Sequence, residues 1–148
     1  MRYQQVSVEE VLNSPAFEEA VQEYSTYSLG HLPKPNPDLD LYRRLGEAGV
    51  LFPITAVQDG ELAGFSTVLL SPSAHYGKAL AHLETLFVRK QYRQGGTAMH
   101  LLEFSEQLAA SKGAIAVTVH APVGSHLGAF LRRRYLSTHT VYMLPLQQ

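Results

Sequence analysis

The sequence predicts an α/β fold with a mixed sheet, and three observations carry that expectation. Residues 80–88 form an apolar strand that passes through a glycine-bearing turn into a long amphipathic helix. Asp59-Gly60 joins two apolar runs as a type I′ hairpin does. Residues 114–120, directly after Gly113, are a short apolar run of the kind found in buried parallel strands.

From the N-terminus, only residues 3–6 are available for a first strand, which is short or absent. Ser7-Val8-Glu9-Glu10 has the form of a capping box. Pro15 either interrupts a helix begun there or restarts one, with Ser14 as its cap and Pro15 at its first position. Phe17, Ala20, Val21 and Tyr24 then share a face. Three prolines in residues 30–37 disfavour both helix and strand ladder. Asp38 or Asp40 caps a short helix that reaches about Ala48.

Strands at 51–57 and 62–70 flank the Asp59-Gly60 turn, and Pro53 puts the start of the first at an edge or bulge. A loop over 71–78 leads to the strand 80–88. In the helix 97–112, Ala98, Leu101, Leu102, Leu108 and Ala109 form the buried stripe, and Gly113 stops it. Pro122 and Gly124 break the strand 114–120, a helix follows around 125–134, and residues 138–146 read as the last strand. Only the crossover through 97–112 must be parallel, so the sheet is mostly antiparallel.

Composition narrows the class. At 148 residues, 45% hydrophobic and 17% charged, the chain suits one globular domain over residues 1–148. No apolar run approaches the ~18 residues that span a membrane, and the N-terminus lacks the apolar stretch of a secretory signal. A cytoplasmic protein is expected. The absence of cysteine excludes disulfides, thiolate metal sites and a cysteine acyl-enzyme. The seven histidines show no metal-ligand spacing, so no metal is expected.

Charge is segregated along the chain. Residues 1–84 hold five Lys/Arg against eleven Asp/Glu (−6), and residues 85–148 hold seven against two (+5), which sum to −1. A basic half suits a phosphorylated ligand and an acidic half a cationic one. The near-neutral total argues against nucleic-acid binding.

Chemistry concentrates at Arg93-Gln94-Gly95-Gly96-Thr97-Ala98. The first N–H groups of a helix lack intrahelical partners, and the macrodipole favours an anion there. Two glycines permit close approach and Arg93 adds a positive charge. The turn is neither a Walker loop nor a dinucleotide fingerprint. It fits Arg/Gln-x-x-Gly-x-Gly/Ala between strand and helix, and so resembles the acetyl-CoA motif of the GNAT N-acetyltransferases. The predicted element order is also the one that fold uses.

The resemblance implies a splayed parallel strand pair in the central sheet and a direct transfer from acetyl-CoA to a primary amine. Leu86, Phe87 and Val88 would bond pantetheine through their backbones, with an N–H near Phe87 or Val88 polarising the thioester carbonyl. Arg93 to Ala98 would take the pyrophosphate. The ammonium must lose a proton before it attacks. Glu84, the only carboxylate in the strand 80–88, is the candidate base; the competing reading is an outward-facing residue that shares a face with Leu86 and Val88. His120, at the end of its strand, is the reserve.

The family protonates the departing thiolate with a tyrosine on the last helix, but Leu131 occupies the corresponding position here. Tyr135, one turn on, is the remaining candidate acid. A thiolate is a tolerable leaving group without one, by analogy with free thiols of pKa about 8.5. Arg132-Arg133-Arg134 is either a solvated helix end or a contact for the CoA 3′-phosphate.

Tyr24, Tyr27, His31, Tyr42, His75 and Tyr76 lie in segments that usually shape the acceptor site, and aromatic rings beside carboxylates suit a cationic amine. His75-Tyr76, with the hairpin Gly60 to Phe65, also looks like a phage or prophage subgroup. The expected partners are a small-molecule or peptide amine and a second copy in a homodimer. The alternatives are a GNAT-fold acyl-CoA-binding module without turnover and a nucleotide-binding interaction domain.

Overall fold

The computed structural model describes residues 1–26 and 32–146. Five strands lie side by side in chain order: β1 (Arg2–Gln5), β2 (Leu51–Gln58), β3 (Glu61–Ser73), β4 (Lys78–Val88) and β5 (Val117–Val119). The first four pair antiparallel, and β4 and β5 pair parallel. Helices α1 (Val8–Leu12), α2 (Pro15–Thr26) and α3 (Leu39–Glu47) connect β1 to β2. Helix α4 (Thr97–Ser111) is the crossover, and α5 (His126–Leu131) follows β5. No helix among the described residues is long and apolar enough to cross a membrane.

Local chemistry sets most of these boundaries. Ser7 and Glu10 form the reciprocal capping box of α1, and the Asp38 carboxylate accepts from Leu41 N at 2.9 Å to cap α3. Pro53 sits in the second strand of the sheet, where its missing N–H faces the point at which β1 ends. Asp59 and Gly60 both take positive φ (52° and 81°), as a type I′ turn requires.

The sheet separates two apolar clusters. On one face Ile54, Val68, Ala81, Leu83 and Val88 pack with Leu101, Leu102 and Ala109 of α4 and Leu131 of α5. On the other, Phe65 and Phe87 meet Val11 of α1 and Ala16 and Ala20 of α2. One polar pair lies inside the α4 layer, where Ser66 and Ser105 share a hydrogen bond at 2.9 Å and Ser105 also donates to Leu101 O. Both requirements are met, so the pair is a satisfied polar link between sheet and helix.

Five expectations are corrected. The loop assigned to 71–78 is instead the tip of a longer hairpin, because Ser71, Pro72 and Ser73 pair with Leu80, Ala79 and Lys78. The parallel strand is only Val117–Val119, and the helix at 125–134 stops at Leu131. Residues 138–146 form no strand; they have the side-chain pattern, but a strand also needs an edge to bond, and this segment lies on none.

The fifth correction concerns alternation in β4. Thr67 pairs with Thr85 while Val68 pairs with Leu83, so Glu84 is the extra residue of a β-bulge. The bulge shifts the phase by one. Leu83, Leu86 and Val88 therefore all belong to the α4 face, whereas Phe87 enters the opposite cluster.

Candidate active site

The register of β4 decides which backbone groups are free. Arg89 N donates to Ala63 O at 2.9 Å, so the antiparallel alternation also bonds Phe87 and Thr85 to β3. Leu86 and Val88 then aim their N–H and C=O groups at the other edge. There β5 pairs only with residues 81–83 of β4. Beyond Leu83 the two strands no longer pair, which gives a gap bordered by the polar groups of Leu86 and Val88. The predicted trio thus divides. Leu86 and Val88 face the gap, while Phe87 has its backbone on β3 and its ring in the core.

Close approach of β3 holds this arrangement. A Cβ on Gly64 would stand 2.5 Å from Phe87 O and 3.0 Å from Val88 Cα, so only glycine fits. Two side chains already reach the gap-side carbonyls. Tyr24 of α2 donates to Leu86 O at 3.3 Å, and Arg93 Nε donates to Val88 O at 2.8 Å.

After β4 a short 3-10 turn, Lys90–Tyr92, leads to the glycine loop. Gly95 and Gly96 take φ of 104° and 81°, the left-handed region open to glycine. Gly96 is the N-cap of α4 and no side chain caps that helix, so its first N–H groups are available. Gln94, Gly95 and Gly96 are exposed; Thr97 is buried, which leaves its backbone as the part able to serve a ligand, and Ala98 packs against the core.

Arg93 is engaged as well as near. Its guanidinium bonds Glu23 of α2 at 2.6 Å, and Arg89 bonds Glu19 one turn earlier at 2.9 Å. Acidic residues of the N-terminal half thus meet basic residues of the C-terminal half within one molecule. Part of the charge segregation in the sequence is therefore spent internally.

At the bulge the polar side chains converge. His82 Nδ1 hydrogen-bonds Thr118 Oγ1 of β5 at 2.9 Å, its ring lies 4.5 Å from that of His120, and its Nε2 is 4.0 Å from Glu84 Oε2. Burial lowers the His82 pKa, the nearby His120 lowers it further, and Glu84 pulls the other way. Glu84 and His120 were chosen from sequence. His82 connects them, and its only signal in the sequence is its position two residues before Glu84.

Tyr42 of α3 and Tyr24 also feel this carboxylate. Burial raises both phenol pKa values, and the Glu84 charge adds to each. Tyr24, Tyr42 and Glu84 therefore lie on the helix-α2 and -α3 side of the bulge. His75 and Tyr76 do not join them. They meet edge-to-face at the β3–β4 hairpin tip, roughly 20 Å along the strand from Glu84. Tyr27 and His31 fall outside the described residues.

Tyr135 sits beyond the end of α5 and donates its hydroxyl to Glu106 of α4, and burial followed by that carboxylate raises its pKa. Leu131 is 7% exposed and packs in the α4 cluster. Arg134 also binds Glu106. No group of three or more His, Cys, Asp or Glu among the described residues could hold a metal ion.

The sequence matches the acetyltransferase (GNAT) family over residues 14–133. The chain belongs to that family. Its fold is similar to an aminoglycoside acetyltransferase from an uncultured soil metagenomic sample, at TM-score 0.75 and 20% identity over 99% of this chain and 98% of that one. A ribosomal-protein-alanine N-acetyltransferase from Brucella melitensis biovar Abortus 2308 is similar at TM-score 0.72 and 16% identity, covering 99% and 100%. A second metagenomic aminoglycoside acetyltransferase, solved in complex with sisomicin, is similar at TM-score 0.69 and 17% identity over 97% and 95%. No curated protein matches the chain in sequence. The GNAT fold, an acetyltransferase family and the splayed strand pair are thus common ground for this protein.

Proposed function

We propose that this GNAT domain, residues 1–148, transfers an acetyl group from acetyl-CoA to a primary amine in a ternary complex. One observation carries the reading. The Leu86 and Val88 N–H groups, which β5 does not take, border a gap at the end of β4, and the uncapped N-terminus of α4 follows after the glycine loop. Acetyl-CoA supplies the thioester; pantetheine would bond Leu86 and Val88, and the pyrophosphate would take the N–H groups of residues 94–98. Arg93 would contribute charge once it exchanges Glu23 for phosphate.

The amine nitrogen bonds to the acyl carbon, the C–S bond breaks, and the thiolate leaves. Glu84 accepts the ammonium proton directly or through water, with His120 able to share that task through the His82 cluster. The Val88 N–H stabilises the oxyanion. Tyr135 can act as the acid only when its bond to Glu106 opens.

The acceptor is a small-molecule or peptide amine, probed first with aminoglycosides and N-terminal alanine peptides, the classes named for the structural relatives. Tyr24, Tyr42 and Glu84 favour a cationic acceptor. The cytoplasm, which supplies acetyl-CoA, is the proposed compartment.

A second reading, an acyl-CoA-binding module without turnover, is favoured by one observation. The tyrosine position of the last helix holds buried Leu131, and Tyr135 is occupied. A CoA-release screen across an amine panel, with acetyl-CoA calorimetry in parallel, separates the two. Binding with turnover supports the enzyme, binding without turnover the module, and no binding removes both.

A further inference from the structure

The pairing of β4 with β5 is short, and its two faces are held differently. Only Ala81, His82 and Leu83 face Val117, Thr118 and Val119, and the Glu84 bulge begins directly after Leu83. On the α4 face, Val117 and Val119 pack against the apolar cluster. Alternation turns Thr118 to the other face, so it is the one residue of β5 able to hold the strand there.

Thr118 meets β4 through two polar contacts. Its Oγ1 lies 2.9 Å from His82 Nδ1 and donates to Ala81 O at 3.4 Å. The partly buried His82 ring lies 4.5 Å from that of His120, which restricts its rotation. A cross-strand side-chain pair of this kind adds to a ladder that parallel geometry leaves weak. The pair also has leverage. Glu84 stands two residues beyond His82 on β4, and His120 two residues beyond Thr118 at the end of β5. Both candidate bases thus project from the fork at which the pair sits.

We propose that the His82–Thr118 bond is a clamp that fixes the point where β4 and β5 part. It thereby sets the width of the gap beside Leu86 and Val88 and the separation of Glu84 from His120. His82 and Thr118 are positioning residues in this role, acting through the strands and not on a substrate. The effect on cofactor binding rests on the acetyl-transfer reading, whereas the clamp itself rests only on the two strands.

Hydrogen exchange and acetyl-CoA calorimetry on the full chain test the two parts separately. Ala81 N donates to Ala116 O, so the parallel alternation gives Leu83 N to Thr118 O. In Thr118→Val the protection of the Leu83 amide should fall by about two- to fivefold. Arg89 N, bonded to Ala63 O on the other edge of β4, should keep its parent protection. Acetyl-CoA affinity should fall by about two- to fivefold as well, because a fork that opens is competent to bind for less of the time. Thr118→Ser should restore both.

Substitutions at His82 separate the clamp from any other use of the imidazole. His82→Asn places an amide where Nδ1 stands and should keep the parent protection and affinity. His82→Gln places it where Nε2 stands and should behave like Thr118→Val. Unchanged Leu83 protection in Thr118→Val overturns the clamp, as does equal behaviour of His82→Asn and His82→Gln. Unchanged acetyl-CoA affinity beside lowered protection overturns the positioning role. A parent chain that binds no acetyl-CoA removes the acetyl-transfer reading instead, and the exchange data still decide the clamp.

Discussion

Along its β3 edge β4 is bonded from Lys78 to Val88, whereas along its β5 edge it is bonded only at residues 81–83. The two edges belong to the same strand and the same residue types. On the first, all residues but Glu84 pair with β3, a glycine lets the strands close up, and the result is scaffold. On the second, Tyr24 and Arg93 take the Leu86 and Val88 carbonyls, and the two N–H groups are left with no strand. Buried backbone groups do not stay unpaired without cause, so the incomplete edge is where ligand chemistry is to be sought. The bulge at Glu84 lies at the transition between the two regimes.

The largest effect comes from breaking the bonded edge. Gly64→Val drives a side chain into Phe87 O, and the strands must separate. A loss of at least about 3 kcal/mol is expected in urea unfolding, with part of the protein insoluble. Unchanged stability would mean that β3 and β4 can part without harm, and the contrast between the edges would disappear.

Next is the open edge itself. Glu84→Gln should lower turnover by roughly 10²–10⁴ at unchanged acetyl-CoA affinity, with partial recovery at high pH as the amine deprotonates unaided. A parent rate across the pH range would make Glu84 a bulge residue only and move the search to His82 and His120. Tyr135→Phe in the same assay reads out the acid; no effect fits its engagement with Glu106.

A smaller change is expected at the loop. Gly96→Val places a β-branched residue at φ 81° and fills the approach to the α4 N-terminus. Acetyl-CoA affinity should fall by at least about tenfold, ~1.4 kcal/mol, by calorimetry. Arg93→Ala should cost less, because the parent arginine must first leave Glu23. Equal affinity in both variants would remove the phosphate assignment.

The smallest effect is electrostatic. Burial and His120 hold the His82 pKa below its ordinary 6.5, so the neutral form is favoured in the folded state. The unfolded chain takes up this proton first as pH falls. His82 therefore contributes stability that is complete above about 6.5 and is lost as pH drops through the lower, folded value. His82→Asn should flatten that acid-side decline by under about 1 kcal/mol, given the partial exposure of the ring. Unfolding midpoints at pH about 7.5 and about 5.5 check it.

Much of the fold was legible in the sequence because its signals are short-range. The Ser7 capping box, the Asp59-Gly60 turn, the stripe of α4 and the glycines before it each depend on neighbours within about one turn. These also carried the family resemblance and the glycine loop. Four features had no such local source. The Glu84 bulge exists only because Thr67 and Val68 sit opposite, and it reversed the facing of the residues after it. His82 joins Glu84 to His120 only because β5 lies parallel beside it.

Arg93 finds Glu23, and Arg89 finds Glu19, seventy residues away in sequence. Residues 138–146 read as a strand and form none, because side-chain pattern is local while a strand's hydrogen bonds belong to whichever edge is within reach. By itself the sequence determined most of the elements up to α4, the glycine loop and the family, through backbone preference and period. Tertiary structure alone decided which backbone groups stay free, which charges cancel and which side chains meet at the bulge, since each depends on register between segments far apart in the chain.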